Sequence, residues 1–146
     1  MDFVPHIQIN PPPSIADALL NKHQEAFQAS ERGDYATAER LCIEVLATKD
    51  AVMTGGAESE GSAMTRNAMG ELYLKMGRYD DAEKMLKKAV SVREKVGTPF
   101  DAATSRENLA QVYEQKRNLA LARETRVSVP NSVVCGNYNV CIKDRH

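Results

Sequence analysis

Two cysteines and a histidine close to the end of the chain, Cys135, Cys141 and His146, are the residue types that hold zinc, because thiolate and imidazole are its preferred ligands. A structural zinc site takes four ligands, and this stretch supplies three. Cys42 falls on the apolar stripe of a helical segment, which marks it as a core residue rather than the fourth ligand. Three readings of the tail stay open: a remnant or disordered segment, a partial or shared metal site, and thiol redox chemistry. Catalysis finds less support. His6, His23 and His146 are scattered over the two ends and the first helical segment, with no Ser or Cys whose proximity the sequence implies. The run Gly55-Gly56-Ala57-Glu58-Ser59-Glu60-Gly61 lacks the lysine and the preceding strand of a phosphate-cradling loop, and reads as a flexible connector. Asp80-Asp81 and the Glu-rich helix faces read as solvated surface. The residues argue against an enzyme, and zinc at the tail is the one cofactor they suggest.

Composition narrows the class. A chain of 146 residues suits one domain with a short appendix, and 42% hydrophobic residues can supply its core. Three Phe, five Tyr and no Trp leave that core to Ala, Leu, Val and Met, the side chains of closely packed helices. Nineteen Lys and Arg against twenty Asp and Glu leave no global field to favour nucleic acid or an acidic membrane. There is no uninterrupted apolar run long enough for a transmembrane helix, and Met1-Asp2-Phe3-Val4-Pro5 lacks the regions of a signal peptide. An odd number of cysteines makes no disulfide framework, so a cytoplasmic or nuclear location is expected.

The elements follow from periodicity and stop signals. Residues 1–13 end in Pro11-Pro12-Pro13 and read as an extended lead-in. Ser14 and Asp17 have capping-box spacing at the head of a helix reaching about Glu31. A second helix runs from about Tyr35 to Met53, where the glycines stop it, and a third from about Glu60 to Met76 with Met64, Ala68, Met69, Leu72 and Tyr73 inward. The fourth spans about Tyr79 to Val96. Thr98-Pro99-Phe100-Asp101 is a strong start signal for a fifth, ending near Lys116. The sixth begins near Asn118 and is short because Pro130 ends it. After Arg126 the sequence turns to β-formers with a Gly136-Asn137 pair suited to a tight turn.

These helices form a repeat. Gly33-Asp34-Tyr35 and Gly77-Arg78-Tyr79 each join two helical segments and lead to Ala38 or Ala82, with a weaker copy at Arg117-Asn118-Leu119 leading to Ala122. The spacing is 44 and then 40 residues, a period that points to stacked helical hairpins. Gly70 and Ala110 stand where a bulky side chain would separate paired helices, and Tyr73 and Tyr113 can wedge between units. Met69-Gly70, Tyr73, Gly77-Arg78-Tyr79, Ala82, Leu86 and Ala89 together resemble the tetratricopeptide repeat signature, and Leu109-Ala110, Tyr113 and Ala122 continue it. The first unit fits at Ala26, Gly33, Tyr35, Ala38 and Val45 but departs with Glu25 where an apolar residue is usual. The long period and the segments 89–96 and 103–110 are similar to the kinesin-light-chain branch of that family. The resemblance implies an all-α fold over residues 14–128, a right-handed superhelical stack of about three hairpins followed by an irregular tail at 129–146.

Function then follows from shape. In such a stack the first helices line a concave surface that receives an extended peptide or a partner helix, so binding and not catalysis is implied. Alignment to the repeat places Leu20, His23 and Phe27, then Met64, Asn67, Glu71, Leu74 and Lys75, then Thr104, Glu107, Gln111 and Glu114 on that surface. Asn67 and Gln111 could hydrogen-bond a peptide backbone. A terminal carboxylate of the kind that chaperone-binding repeats grip would meet Glu71 and Glu107, which argues against that ligand. The order of parts, with Val133-Val134-Cys135-Gly136-Asn137-Tyr138-Asn139 after the repeats, resembles fungal proteins that carry a MYND-type zinc finger. Cys135 and Cys141 would correspond to its opening ligand pair, but the five residues between them and the missing Cys-rich half depart from the pattern, so a truncated adaptor is the alternative function. A third class is a self-associating protein. Arg126 falls where the sixth helix should present an apolar residue, and an exposed end of the stack invites a second copy as a homodimer.

Overall fold

The computed structural model describes residues 14–127, so the lead-in at 1–13 and the tail with Cys135, Cys141 and His146 lie outside the described residues. Six helices run in order: α1 (Ile15–Glu31), α2 (Tyr35–Val52), α3 (Glu60–Lys75), α4 (Tyr79–Val96), α5 (Pro99–Gln115) and α6 (Leu119–Val127). The fold is all-helical, three hairpins stacked side by side, with α1 on α2, α3 on α4 and α5 on α6 and each hairpin packed on the next.

Local chemistry sets the ends. The Ser14 hydroxyl accepts from the Asp17 N–H while the Asp17 carboxylate accepts from the Ser14 N–H, a complete capping box. The Thr98 hydroxyl caps α5 by accepting from the Asp101 N–H and donates to the Asp101 carboxylate, with Pro99 at the first position where its missing N–H costs nothing. Each hairpin turn closes with one left-handed residue, Gly33 at φ 80°, Gly77 at φ 74° and Arg117 at φ 64°. Behind each, an N–H reaches back across the helix end, from Asp34 to Ala29 O, Arg78 to Tyr73 O and Asn118 to Tyr113 O, at 2.8–2.9 Å. This is the Schellman closure, for which glycine at the left-handed position carries no Cβ penalty.

The connector between α2 and α3 is more ordered than its glycines suggest. Residues Gly56–Glu58 form a 3-10 turn, Ser59 caps α3, and Arg66 donates to Ala57 O at 3.1 Å while Lys88 pairs with Glu58. Gly61 does not stop a helix but lies within α3, where a Cβ would stand 2.5 Å from the Met53 sulfur.

Small residues allow the helices to approach. Ala29, Ala38, Ala63, Ala82, Ala89 and Ala110 are fully buried, and Met69, Leu72, Leu86, Val92 and Val112 fill the space between them. Met69 and Leu109 are buried on α3 and α5, whereas Glu25 at the matching place on α1 is exposed, because no described helix precedes α1 to cover it. Met64, expected on an inward stripe, remains 44% exposed, and Val52 at the end of α2 is 55% exposed.

The joints between hairpins repeat as the turns do. Lys49 at the end of α2 donates to Thr65 Oγ1 at 2.9 Å and to Gly61 O at 3.1 Å. One unit later Arg93 at the end of α4 donates to Ser105 Oγ at 3.0 Å and to Asp101 O at 3.2 Å. Arg66 pairs with Asp50 at 2.7 Å and Arg106 with Glu94 at 3.0 Å. Tyr73 and Tyr113 donate their hydroxyls to Glu39 and Glu83. Three kinds of polar contact therefore hold both joints and fix the angle at which successive hairpins present their first helices.

Candidate binding groove

α1, α3 and α5 carry the residues expected on the concave surface, and the structure sorts these residues into three groups. His23 and Phe27 of α1 and Glu71 and Lys75 of α3 are brought together around a hollow of about 60 Å³, floored by Ala26, Ala38, Cys42, Ala68 and Leu72. Phe27 is 63% exposed on its rim, an aromatic face held in water by a rigid helix. Lys75 closes the opposite side through an ion pair with Glu31 at 2.8 Å. Leu74 is half-buried against the main core instead of lying free.

Asn67 belongs to the second group. It is buried, and its amide is engaged within the protein: Nδ2 donates to Glu71 Oε1 at 2.9 Å, while Oδ1 accepts from Ser105 Oγ at 2.8 Å and from Asn108 Nδ2 at 3.2 Å. Its side chain therefore ties α3 to α5 instead of presenting its amide to a peptide. Asn108, which the repeat alignment did not select, also donates to Glu71 Oε1, at 2.8 Å. Its position beside Leu109-Ala110 was the available signal, but only the packing of α5 on α3 shows which way the amide points. With two amides on one oxygen, the Glu71 carboxylate is fixed at the edge of the hollow as an oriented acceptor.

Glu107, Gln111 and Glu114 on α5 form the third group, joined by Arg126 of α6. The guanidinium donates to both Glu107 oxygens at 2.8 and 2.9 Å and to Glu114 at 2.5 Å, and Gln111 donates to Glu107 at 3.5 Å. These contacts with Arg126 hold both carboxyls below the usual carboxylate range. The polar residue at an apolar position is thus a clamp over the end of α5, and its single positive charge offsets half of the charge of the two acids it bridges.

Burial shifts two titratable side chains at the hollow. Burial pushes the Cys42 thiol up, away from the thiolate form a nucleophile needs. Burial, reinforced by the Lys49 charge, holds the His23 imidazole below its ordinary value, so it stands neutral beside Phe27, and its Nδ1 has no hydrogen-bond partner among the described residues. Among the described residues no three His, Cys, Asp or Glu side chains converge as a metal would require, and no helix is long and apolar enough to cross a membrane.

A second hollow, of about 290 Å³, adjoins the first at His23. Its walls are Ile15, Ala16, Leu19 and Leu20 of α1, Lys49, Val52 and Met53 at the end of α2, and Met64 of α3.

A family model described as tetratricopeptide repeat matches residues 15–95 and, overlapping it, residues 61–125. No curated protein matches the chain.

Proposed function

Because the chain belongs to the tetratricopeptide repeat family, we propose that it is a non-catalytic protein-interaction module that takes an extended peptide or a partner helix along α1, α3 and α5. Proteins of this family generally mediate protein–protein contacts. The observation that carries the reading is the hollow at His23, Phe27, Glu71 and Lys75, where an exposed aromatic ring, a neutral imidazole, an oriented carboxylate and an ammonium converge on a floor of alanines. An apolar side chain of the ligand enters above Ala26 and Ala68 against the Phe27 ring, and its backbone N–H groups find Glu71. Asn67 acts indirectly, by holding Glu71 and α5 in place.

The test begins with a random-peptide display selection on the full chain. The affinity of the selected peptides is then measured by calorimetry against Phe27→Ala and Glu71→Gln. Both positions are exposed, so the fold survives the changes. A loss of tenfold or more in each supports the groove, since tenfold is about 1.4 kcal/mol and truncating a hot-spot anchor costs about 2 kcal/mol or more. Peptides that bind both variants as tightly as the parent would sink the reading.

A further inference from the structure

The larger hollow is aliphatic surface left in water. Ile15, Leu20, Val52, Met53 and Met64 line it and are between 41% and 64% exposed. Scattered single apolar residues are ordinary on a surface, but several converging on one concavity mark a place that something covers. The Lys49 ammonium is tied into the joint, donating to Gly61 O and Thr65 Oγ1. The lining contains no carboxylate.

The chain supplies an occupant of matching chemistry at the rim. α1 begins at Ile15, itself part of the wall, and thirteen residues precede its cap at Ser14. Within them Phe3, Val4, Ile7 and Ile9 are apolar, and residues 3–9 contain no Lys, Arg, Asp or Glu. We propose that this hollow is the docking site of the chain's own residues 3–9, which cover Leu20, Val52, Met53 and Met64 within the same molecule. Reach allows it. The four residues from Asn10 to Pro13 span about 12 Å, at roughly 3.1 Å each for a Pro-rich segment. The wall of α1 from Ile15 to His23 rises about 12 Å, at 1.5 Å per residue. A tether of this length makes the contact intramolecular, so one too weak to form between separate molecules suffices within one. The segment then borders the groove at His23, which lines both hollows. The proposal does not depend on the groove accepting a foreign peptide.

Methyl-labelled full-length protein tests it by NMR. The expected result is nuclear Overhauser contacts from the Ile7 or Ile9 methyls to the Met53 and Met64 methyls, unchanged on tenfold dilution. In the double variant Phe3→Asp, Ile7→Asp those contacts vanish and the Met53 and Met64 signals move, while Leu86 and Val92 in the core stay in place. Leu20→Asp, at an exposed position, gives the same loss from the other side of the contact. Absence of the contacts, with Met53 and Met64 indifferent to the double variant, overturns the proposal. Contacts that arise only between differently labelled molecules in a mixed sample overturn it too, in favour of a second copy as the cover.

Discussion

Tyr73 donates its hydroxyl to Glu39 across the joint between the first and second hairpins, at 3.0 Å, with the Arg78 guanidinium 4.5 Å over its ring. The ring is buried, so the phenol is held in its neutral, donating form. Burial first, then the hydrogen bond to Glu39 and its charge, push its pKa up to about 12. The same contact recurs between Tyr113 and Glu83 at 3.3 Å.

Tyr73→Phe should therefore destabilise the protein by about 1 kcal/mol in urea denaturation. That is below the ~1.5–3 kcal/mol of a hydrogen bond to a charged group, because Arg78 still pairs with Glu39 at 2.8 Å in the variant. The sign of the pH effect follows from the raised value. The unfolded tyrosine loses its proton near pH 10 and the folded one near 12, so the Tyr73 contribution is complete below pH 10 and is lost as pH climbs towards 12. The stability difference between parent and variant should shrink over that window. A constant difference would mean that the phenol does not titrate with folding.

Gly70 is a point of close approach in the second hairpin. A Cβ there would lie 2.4 Å from Leu86 Cγ and 2.6 Å from one of its methyls. Gly70→Ala gains up to about 1 kcal/mol of helix propensity but forces a fully buried leucine out of its position. Overpacking of this kind costs about 1–3 kcal/mol, so the net change should be destabilising. Adding Leu86→Ala to Gly70→Ala should cost less than Leu86→Ala does alone, because the new methyl occupies part of the cavity. Additive losses in that cycle would show that the two residues do not compete for space.

Much of this was legible in the sequence, and the reason is local. Helix caps at Ser14 and Thr98 and turns at Gly33 and Gly77 are fixed by backbone requirements a few residues apart, and the small residues at Gly70 and Ala110 follow from the repeat. The side chains that cross between hairpins were not legible. Asn67 looked like a groove residue because its register on α3 is a groove register, and only the approach of Ser105 and Asn108 shows that its amide is already committed. Arg126 read as a defect at an apolar position because its partners, Glu107 and Glu114, lie 19 and 12 residues away on another helix. The connector read as flexible from its glycines, whereas Arg66 and Lys88, which fasten it, come from α3 and α4.

Arg117 occupies the left-handed turn position that glycine holds in the other two hairpins. It is exposed, and its Cβ is crowded by its own backbone at φ 64°. The left-handed conformation costs a non-glycine residue about 1–2 kcal/mol, and glycine returns about 0.4–1 kcal/mol of that through the freedom it adds to the unfolded chain. Arg117→Gly should thus stabilise by about 0.5–1 kcal/mol, raising the thermal midpoint by a few degrees. Gly77→Ala, the reverse change at φ 74°, should lower it. An Arg117→Gly protein that melts at or below the parent temperature would contradict the turn argument.

His23 and Lys49 face the same apolar hollow, and their coupling gives the chain a response to mild acid. Burial lowers the imidazole value, and the Lys49 charge lowers it further. An unfolded histidine binds its proton near pH 6.5. Between that value and the lower folded one the unfolded state holds more protons than the native state, so stability falls as pH drops through this window, and the loss is complete once His23 is charged in both states. His23→Gln should remove this component, leaving a variant that loses less stability than the parent between pH 7.5 and 5. Lys49→Met should act in part the same way without touching the imidazole. It deletes the nearby positive charge and replaces a buried ammonium with an apolar side chain of similar length, so the His23 titration followed by NMR should move upward. A His23 titration at or above 6.5 in the parent would remove the basis for the effect. An unchanged titration in Lys49→Met would assign the whole depression to burial and leave Lys49 as a joint residue alone.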